Sequence, residues 1–168
     1  ISNHCINNSI SCFRGSLKNV SKRMLDSAIF YKADYFVRIN GDSPLIDTAI
    51  INHGINIFIN GNYDLVTNVF PRSFPIGHSV EVIRTSSFKS AYNKMFNPDH
   101  FEHITKYYYE NSSDFKIKNF MNGTDLSRYR FVVDSQQDLI RMRKIINKMS
   151  KPHYDYHLSE LISLYPDS

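Results

Sequence analysis

Helix-like and strand-like segments alternate along this chain, and two of the strand-like runs stop at an aspartate inside a polar turn. That alternation is the tightest constraint on the fold. Strands separated by helical crossovers build a layered α/β domain around a mostly parallel sheet. Leu17, Val20, Met24, Ala28 and Tyr31 recur at helical spacing and predict an amphipathic helix over 17–32. Asp34–Ile39 is rich in β-branched and aromatic residues and predicts a strand, which the turn formers Asn40-Gly-Asp-Ser-Pro44 cut off. Further helices are expected over 47–58, from Thr85 and Ser86 to Phe96, and over 99–110. Further strands are expected at 63–68, 80–84, 115–120 and, as a buried strand, 129–134. Ser135-Gln-Gln-Asp138 carries the spacing of a capping box and should open a helix to Met149; a short helix at 156–164 follows.

The chain holds 168 residues, enough for one domain with a core that needs no staples. A hydrophobic fraction of 42% excludes a disordered chain. No apolar run is long enough to cross a bilayer, so no membrane span is expected. Net charge is +4, which suits a phosphate-bearing ligand but does not require nucleic acid. Cys5 and Cys12 lack the spacing of a zinc site or a disulfide scaffold, so both are expected as reduced thiols in a cytoplasmic protein. Asn122-Gly-Thr124 fits a glycosylation sequon but carries no weight without a secretory signal.

In a parallel α/β sheet, ligands sit beyond the carboxyl ends of the strands. Asp42 and Asp134 occupy such ends. Two carboxylates there can converge on one Mg²⁺, which takes one or two carboxylates and fills its octahedron with water and phosphate oxygens. Ordinary turn chemistry explains Asp42 alone, and a helix cap explains Asp134 alone.

Arg38-Ile-Asn-Gly-Asp-Ser-Pro-Leu-Ile-Asp47 resembles the strand-loop signature of the cytidylyltransferases that activate acidic sugars. The similarity is to the spore coat polysaccharide biosynthesis protein F type, related to the CMP-KDO and CMP-sialate synthetases. Four more segments resemble that branch in order: Phe13-Arg-Gly-Ser16, Tyr63–Asn68 with Pro71-Arg72 and Pro75, Glu102-His-Ile-Thr105, and Arg130–Ser135 with Asp138-Leu139. The resemblance implies a Rossmann-like nucleotide-diphospho-sugar transferase fold. It implies coupling of CTP to a sugar for surface polysaccharide, with Mg²⁺ and release of pyrophosphate. Carried over, Asp42 and Asp134 are the metal ligands, with Asp42 at the reacting centre. The residues themselves add candidates with open alternatives: Arg38 for a phosphate or sugar carboxylate, or for pairing with a neighbouring Asp; Arg14 at a strand end for ligand contact; Arg72 for an anionic sugar, or as a solvated loop charge; His103 with Glu102 for the sugar side, or as a helical surface pair; and Asn68 and Glu81 for substrate.

Two departures follow. Where the family reads D-G-x-D-V-E-V, this chain has Ile76-Gly-His-Ser-Val-Glu-Val82, so Ile76 and Ser79 stand in for two carboxylates. The family also opens with a strand and a Gly- and Arg-bearing loop that cradles the triphosphate through backbone N–H groups. Ser2-Asn3 resembles the end of the family's second strand. The expectation is therefore a single partial domain, without that strand-loop-helix-strand unit and inactive towards CTP by itself. Alternatives are a same-fold transferase using another nucleotide, or a degenerate domain that only binds or assembles. The aromatic stretch Phe88–Tyr109 is a candidate apolar face for a homodimer. The pairs His100/His103 and His153/His157 lack further ligands at diagnostic spacing. Arg141, Arg143, Lys144 and Lys148 fit a solvated face of a helix that turns Leu139, Ile145, Ile146 and Met149 inward.

Overall fold

A computed structural model describes residues 1–166. The order of elements is α1 (Ser2–Asn7), α2 (Val20–Phe30), β1 (Tyr35–Arg38), α3 (Thr48–Ile59), β2 (Leu65–Thr67), β3 (Glu81–Arg84), α4 (Thr85–Tyr92), α5 (Pro98–Glu102), α6 (Lys106–Glu110), β4 (Ile117–Asn119), α7 (Gln136–Ile146) and α8 (Leu158–Leu164). The strands form one sheet in the order β1-β3-β2-β4. β2 pairs antiparallel with β3, with Val66 opposite Val82, and parallel with β4, with Val66 opposite Lys118. The α/β layering expected from the sequence is present, in a sheet that is mixed rather than mostly parallel. No helix among the described residues is long and apolar enough to cross a membrane.

Contacts divide the chain into two compact units. One is Ile1–Phe36 with Arg84–Asp114; the other is Val37–Ile83 with the chain from Phe115 onward. In the first, α2 packs against α4 and α5. Its buried residues include Leu25, Ala28, Phe88, Ala91, Ile104 and Tyr108. Phe36 meets Phe88 edge-on with ring centroids 5.4 Å apart. The aromatic stretch expected as a dimer face thus supplies the interior of this unit, with Phe96 as its exposed exception. The predicted helix over 99–110 breaks into α5 and α6 at His103–Thr105. Thr85 caps no helix: its hydroxyl donates to the Ala33 carbonyl at 2.6 Å. Ser2 and Asn3 lie in a helix, α1, not at a strand end.

In the second unit, Leu65, Val66, Val80, Val82 and Ile83 are fully buried, and α3 packs on β2. A second cluster joins Leu45, Phe131, Met142, Ile145, Tyr156 and Leu161. Ser135 and Asp138 form the capping box at the start of α7. Ile146 is exposed rather than inward, because the inward stripe runs through Met142 and Ile145. Residues 129–134 form no regular strand. Only Arg130 bridges to Ile76, flanked by hydrogen bonds from Ile76 N–H to the Tyr129 carbonyl (3.0 Å) and from Phe131 N–H to the Ile76 carbonyl (2.7 Å). The pairing ends there because Gly77 turns the chain away at φ +102°. A Cβ at Gly77 would lie 2.5 Å from the Phe131 carbonyl oxygen, so only glycine fits.

Candidate active site

The Asn40–Pro44 turn after β1 is closed by the Ser43 N–H donating to the Asn40 carbonyl at 3.3 Å. Ser43 also donates its hydroxyl to a carboxylate oxygen of Asp42 at 2.8 Å. The Asp42 carbonyl accepts the Val133 N–H at 3.0 Å. That bond sets the two aspartate-bearing segments side by side, since Asp134 is the next residue. Asp42 is half-buried and Asp134 exposed, so both carboxylates stay hydrated.

Asp134 is held by a network the sequence only partly signals. Arg130 forms an ion pair with Asp134 and also donates to Asp138 at 3.2 Å. Asp138, almost wholly buried, accepts from Arg141 (2.6 Å), the Ser135 hydroxyl (2.9 Å), the Ser135 N–H (3.1 Å) and the Asp134 N–H (3.3 Å). The Arg141 guanidinium first, and the Ser135 hydroxyl second, hold the Asp138 carboxyl well below the usual carboxylate range. A fixed Asp138 therefore orients both the backbone of Asp134 and the guanidinium that pairs with it. Arg141 belongs to this network, not to a solvated face.

Asp47, at the end of the same motif, has a structural role that spacing alone does not reveal. It is buried; one carboxylate oxygen accepts the Ala49 N–H at 2.8 Å, capping α3, and the other accepts the Leu158 N–H at 2.8 Å, capping α8. A single side chain thus ties together two segments 111 positions apart.

The other expected site residues divide in a similar way. Arg38 and Glu81 pair with each other at 2.5 Å, across strands, with Glu81 only 2% exposed. Glu81 is thus a buried partner of Arg38 rather than a group offered to substrate. Asn68 is fully buried; its amide donates to the His78 carbonyl (2.7 Å) and its carbonyl oxygen accepts the Val80 N–H (2.9 Å). It holds the 69–79 loop closed and presents nothing to a ligand. Arg72, half-buried, donates to the Ser79 hydroxyl (3.0 Å) and the Pro75 carbonyl (3.3 Å), so it meets a hydroxyl where the resemblance leads one to expect a carboxylate. Arg14 and His103 are exposed and lie in the other unit.

His78, in the same loop, is fully buried, and neither ring nitrogen makes a hydrogen bond. It stands edge-on to Phe131 with centroids 5.2 Å apart. Burial pushes its pKa down to about 4, against a weaker opposing pull from Asp47 and the nearby Leu45 carbonyl.

Mg²⁺ is a hard cation that prefers oxygen ligands. Two hydrated carboxylates on adjoining segments suit a hard cation that keeps most of its water. Among the described residues no group of three or more His, Cys, Asp or Glu side chains gathers into a closed metal cage. The set thus fits a cation completed by substrate and solvent better than a structural metal.

A family model described as Cytidylyltransferase matches residues 1–160. The chain belongs to the cytidylyltransferase family. A solved structure of a cytidylyltransferase from Leptospira borgpetersenii serovar Hardjo-bovis superposes with a TM-score of 0.91 at 30% identity, over 97% of this chain and 68% of that one. An uncharacterized protein of Methanocaldococcus jannaschii is 32% identical over 153 residues, covering 90% of this chain and 60% of its own length. The spore coat polysaccharide biosynthesis protein SpsF of Bacillus subtilis is 24% identical over 166 residues, covering 96% of this chain and 67% of its own. The chain thus spans about two thirds of the length of these relatives. In the Val37–Ile83 and Phe115-onward unit of this family member, Asp42 is half-buried and Asp134 exposed, while Asn68 and Glu81 are buried.

Proposed function

We propose that this chain carries the metal-binding side of an enzyme that transfers the cytidylyl group of CTP to an acidic sugar, for surface polysaccharide. The observation that carries the reading is the Val133 N–H to Asp42 carbonyl bond, which sets Asp134 beside Asp42 with both carboxylates hydrated. Asp42 and Asp134 would hold Mg²⁺. The ion, when bound, offsets the negative charge that accumulates on the phosphates as the nucleotidyl group transfers.

The chain's own groups do the rest. Ser43 holds one carboxylate oxygen of Asp42, so the carboxylate meets its ligand in one orientation. Arg130 shares its charge between Asp134 and Asp138, and can stay on Asp138 when Asp134 turns to a cation. The sugar hydroxyl attacks the α-phosphorus, its proton leaves to solvent or a carboxylate, and pyrophosphate departs. Arg38 is engaged with Glu81, so its contribution is to brace β1, whose following turn carries Asp42.

The test is pyrophosphate release from CTP by the protein as its gene encodes it, with Mg²⁺ and a panel of acidic sugars such as 3-deoxy-2-keto acids and sialic acid. Release that needs the metal, CTP and one of these sugars, and that falls at least ~100-fold in Asp42→Asn, supports the reading. Release with another nucleotide, or none from any combination, overturns it.

A further inference from the structure

Three Asn-Gly pairs occur in the chain, at 40–41, 60–61 and 122–123. In each, the glycine nitrogen follows directly on the asparagine, and glycine carries no Cβ to shield it. The fold holds the three pairs differently. At Asn60 the side-chain amide donates to the Asn56 carbonyl at 2.9 Å, and the Gly61 N–H donates to the Phe58 carbonyl at 3.3 Å, both at the C-terminal end of α3. The Tyr63 ring also crowds Gly61, lying 2.1 Å from where a Cβ would stand. At Asn122 the amide donates to the Thr124 carbonyl at 2.7 Å. At Asn40 neither the side-chain amide nor the Gly41 N–H has a hydrogen-bond partner among the described residues. Gly41 is exposed, and nothing beyond its chain neighbours lies within 4 Å of where its Cβ would stand.

We propose that Asn40-Gly41 is a deamidation site, the reactive one of the three pairs in the folded chain. The Gly41 backbone nitrogen loses its proton to hydroxide and attacks the Asn40 side-chain carbonyl carbon, Cγ. The new C–N bond closes a succinimide ring, the Cγ–Nδ2 bond breaks, and the amide nitrogen takes a proton from water and leaves as ammonia. Water then opens the ring. Breaking the new Cγ–N bond leaves aspartate; breaking the original peptide C–N bond leaves isoaspartate, with the chain running through the former side chain. Net, one water is consumed and one ammonia released, with no oxidation or reduction. Either product adds a negative charge two positions before Asp42. Isoaspartate also takes out of the backbone the Asn40 carbonyl that accepts the Ser43 N–H and closes the turn. A hydrogen bond that holds the amide or the glycine N–H must break before the ring can close. Each such bond slows closure about fivefold, the equivalent of about 1 kcal/mol.

The test incubates the whole folded chain in warm, mildly alkaline buffer, with a urea-unfolded sample alongside, and reads tryptic peptides by mass spectrometry. Peptide Ile39–Arg72 carries the first two pairs and Asn119–Arg128 the third, and fragment ions assign each site. In the folded chain Asn40 should convert about fivefold faster than Asn122, which has one bond to break, and about 25-fold faster than Asn60, which has two. In urea the three rates should converge, because the bonds that separate them are gone. Asn40→Gln, whose longer side chain would have to close a larger ring, should leave position 40 unconverted over the same period. Conversion of Asn60 or Asn122 in the folded chain at or above the rate of Asn40 would overturn the proposal. So would an Asn40 that stays intact in the folded chain while the unfolded chain converts, or rates in urea that stay as far apart as in the folded chain.

Discussion

Replacing Asp47 with alanine removes the acceptor from two helix starts at once. The N-cap bond to Ala49 is a capping loss, about 0.5–2 kcal/mol when the capping side chain is deleted. The Leu158 N–H is different, because its bond to Asp47 lies in a buried setting. A buried donor left without its acceptor costs about 1–3 kcal/mol. The two bonds share one carboxylate but act on separate helices, so a total near ~3 kcal/mol is expected. Asp47→Asn keeps one oxygen acceptor and turns an amide NH₂ towards the other N–H, so it should lose about half as much. The assay is urea unfolding followed by far-ultraviolet circular dichroism, comparing midpoints at unchanged slope. A loss in Asp47→Ala below about 1 kcal/mol, or an Asp47→Asn protein as stable as the parent, would refute the double-cap argument.

His78 makes stability depend on pH in a defined window. Its folded pKa, about 4, lies below the unfolded value of 6.5, so the unfolded chain takes up the proton first. Its contribution is complete above pH 6.5 and is lost as pH falls towards 4. The loss between pH 6.5 and 5 should be about 2 kcal/mol. His78→Leu should flatten that slope, and an identical slope in both proteins would count against the assignment. Arg38→Met takes the guanidinium from the buried Glu81 carboxylate and should cost about 3 kcal/mol in urea unfolding. A coupling of at least ~1 kcal/mol with Glu81→Leu in a double-mutant cycle is expected, and additivity would contradict the pair. Gly77→Ala forces a Cβ towards the Phe131 carbonyl in a left-handed conformation and should cost about 2–4 kcal/mol by the same assay. A cost below ~0.5 kcal/mol would show that the loop relaxes around the methyl group.

Local chemistry was readable from the residues; distant pairing was not. The polar turn at Asn40–Pro44 and the capping box at Ser135 and Asp138 announce themselves because each is settled within a few residues. The run Phe131–Val133 looks like a strand, and its apolar character did place it in the core. Whether it pairs depends on Gly77, more than fifty positions earlier in the sequence, which bends the facing segment away after one bridge. The break between α5 and α6 carries neither proline nor glycine to mark it. Glu81 and Asn68 read as polar residues available to a ligand. Their partners, Arg38 and the backbone at His78 and Val80, come from other segments, so their engagement appears only in three dimensions. Arg130 was visible only as the first letter of a motif, although it links the carboxylates of Asp134 and Asp138.

Asp42 and Asp134 are proposed to share one hydrated divalent cation. Electron paramagnetic resonance of Mn²⁺ titrated into the chain, with Mg²⁺ as competitor, tests it without requiring turnover. One Mn²⁺ site that Mg²⁺ displaces, lost in both Asp42→Asn and Asp134→Asn while Asp138→Asn weakens it only through the position of Asp134, is the predicted result. Mn²⁺ binding that survives both single substitutions, or an absence of binding by the parent chain with and without CTP, would contradict it.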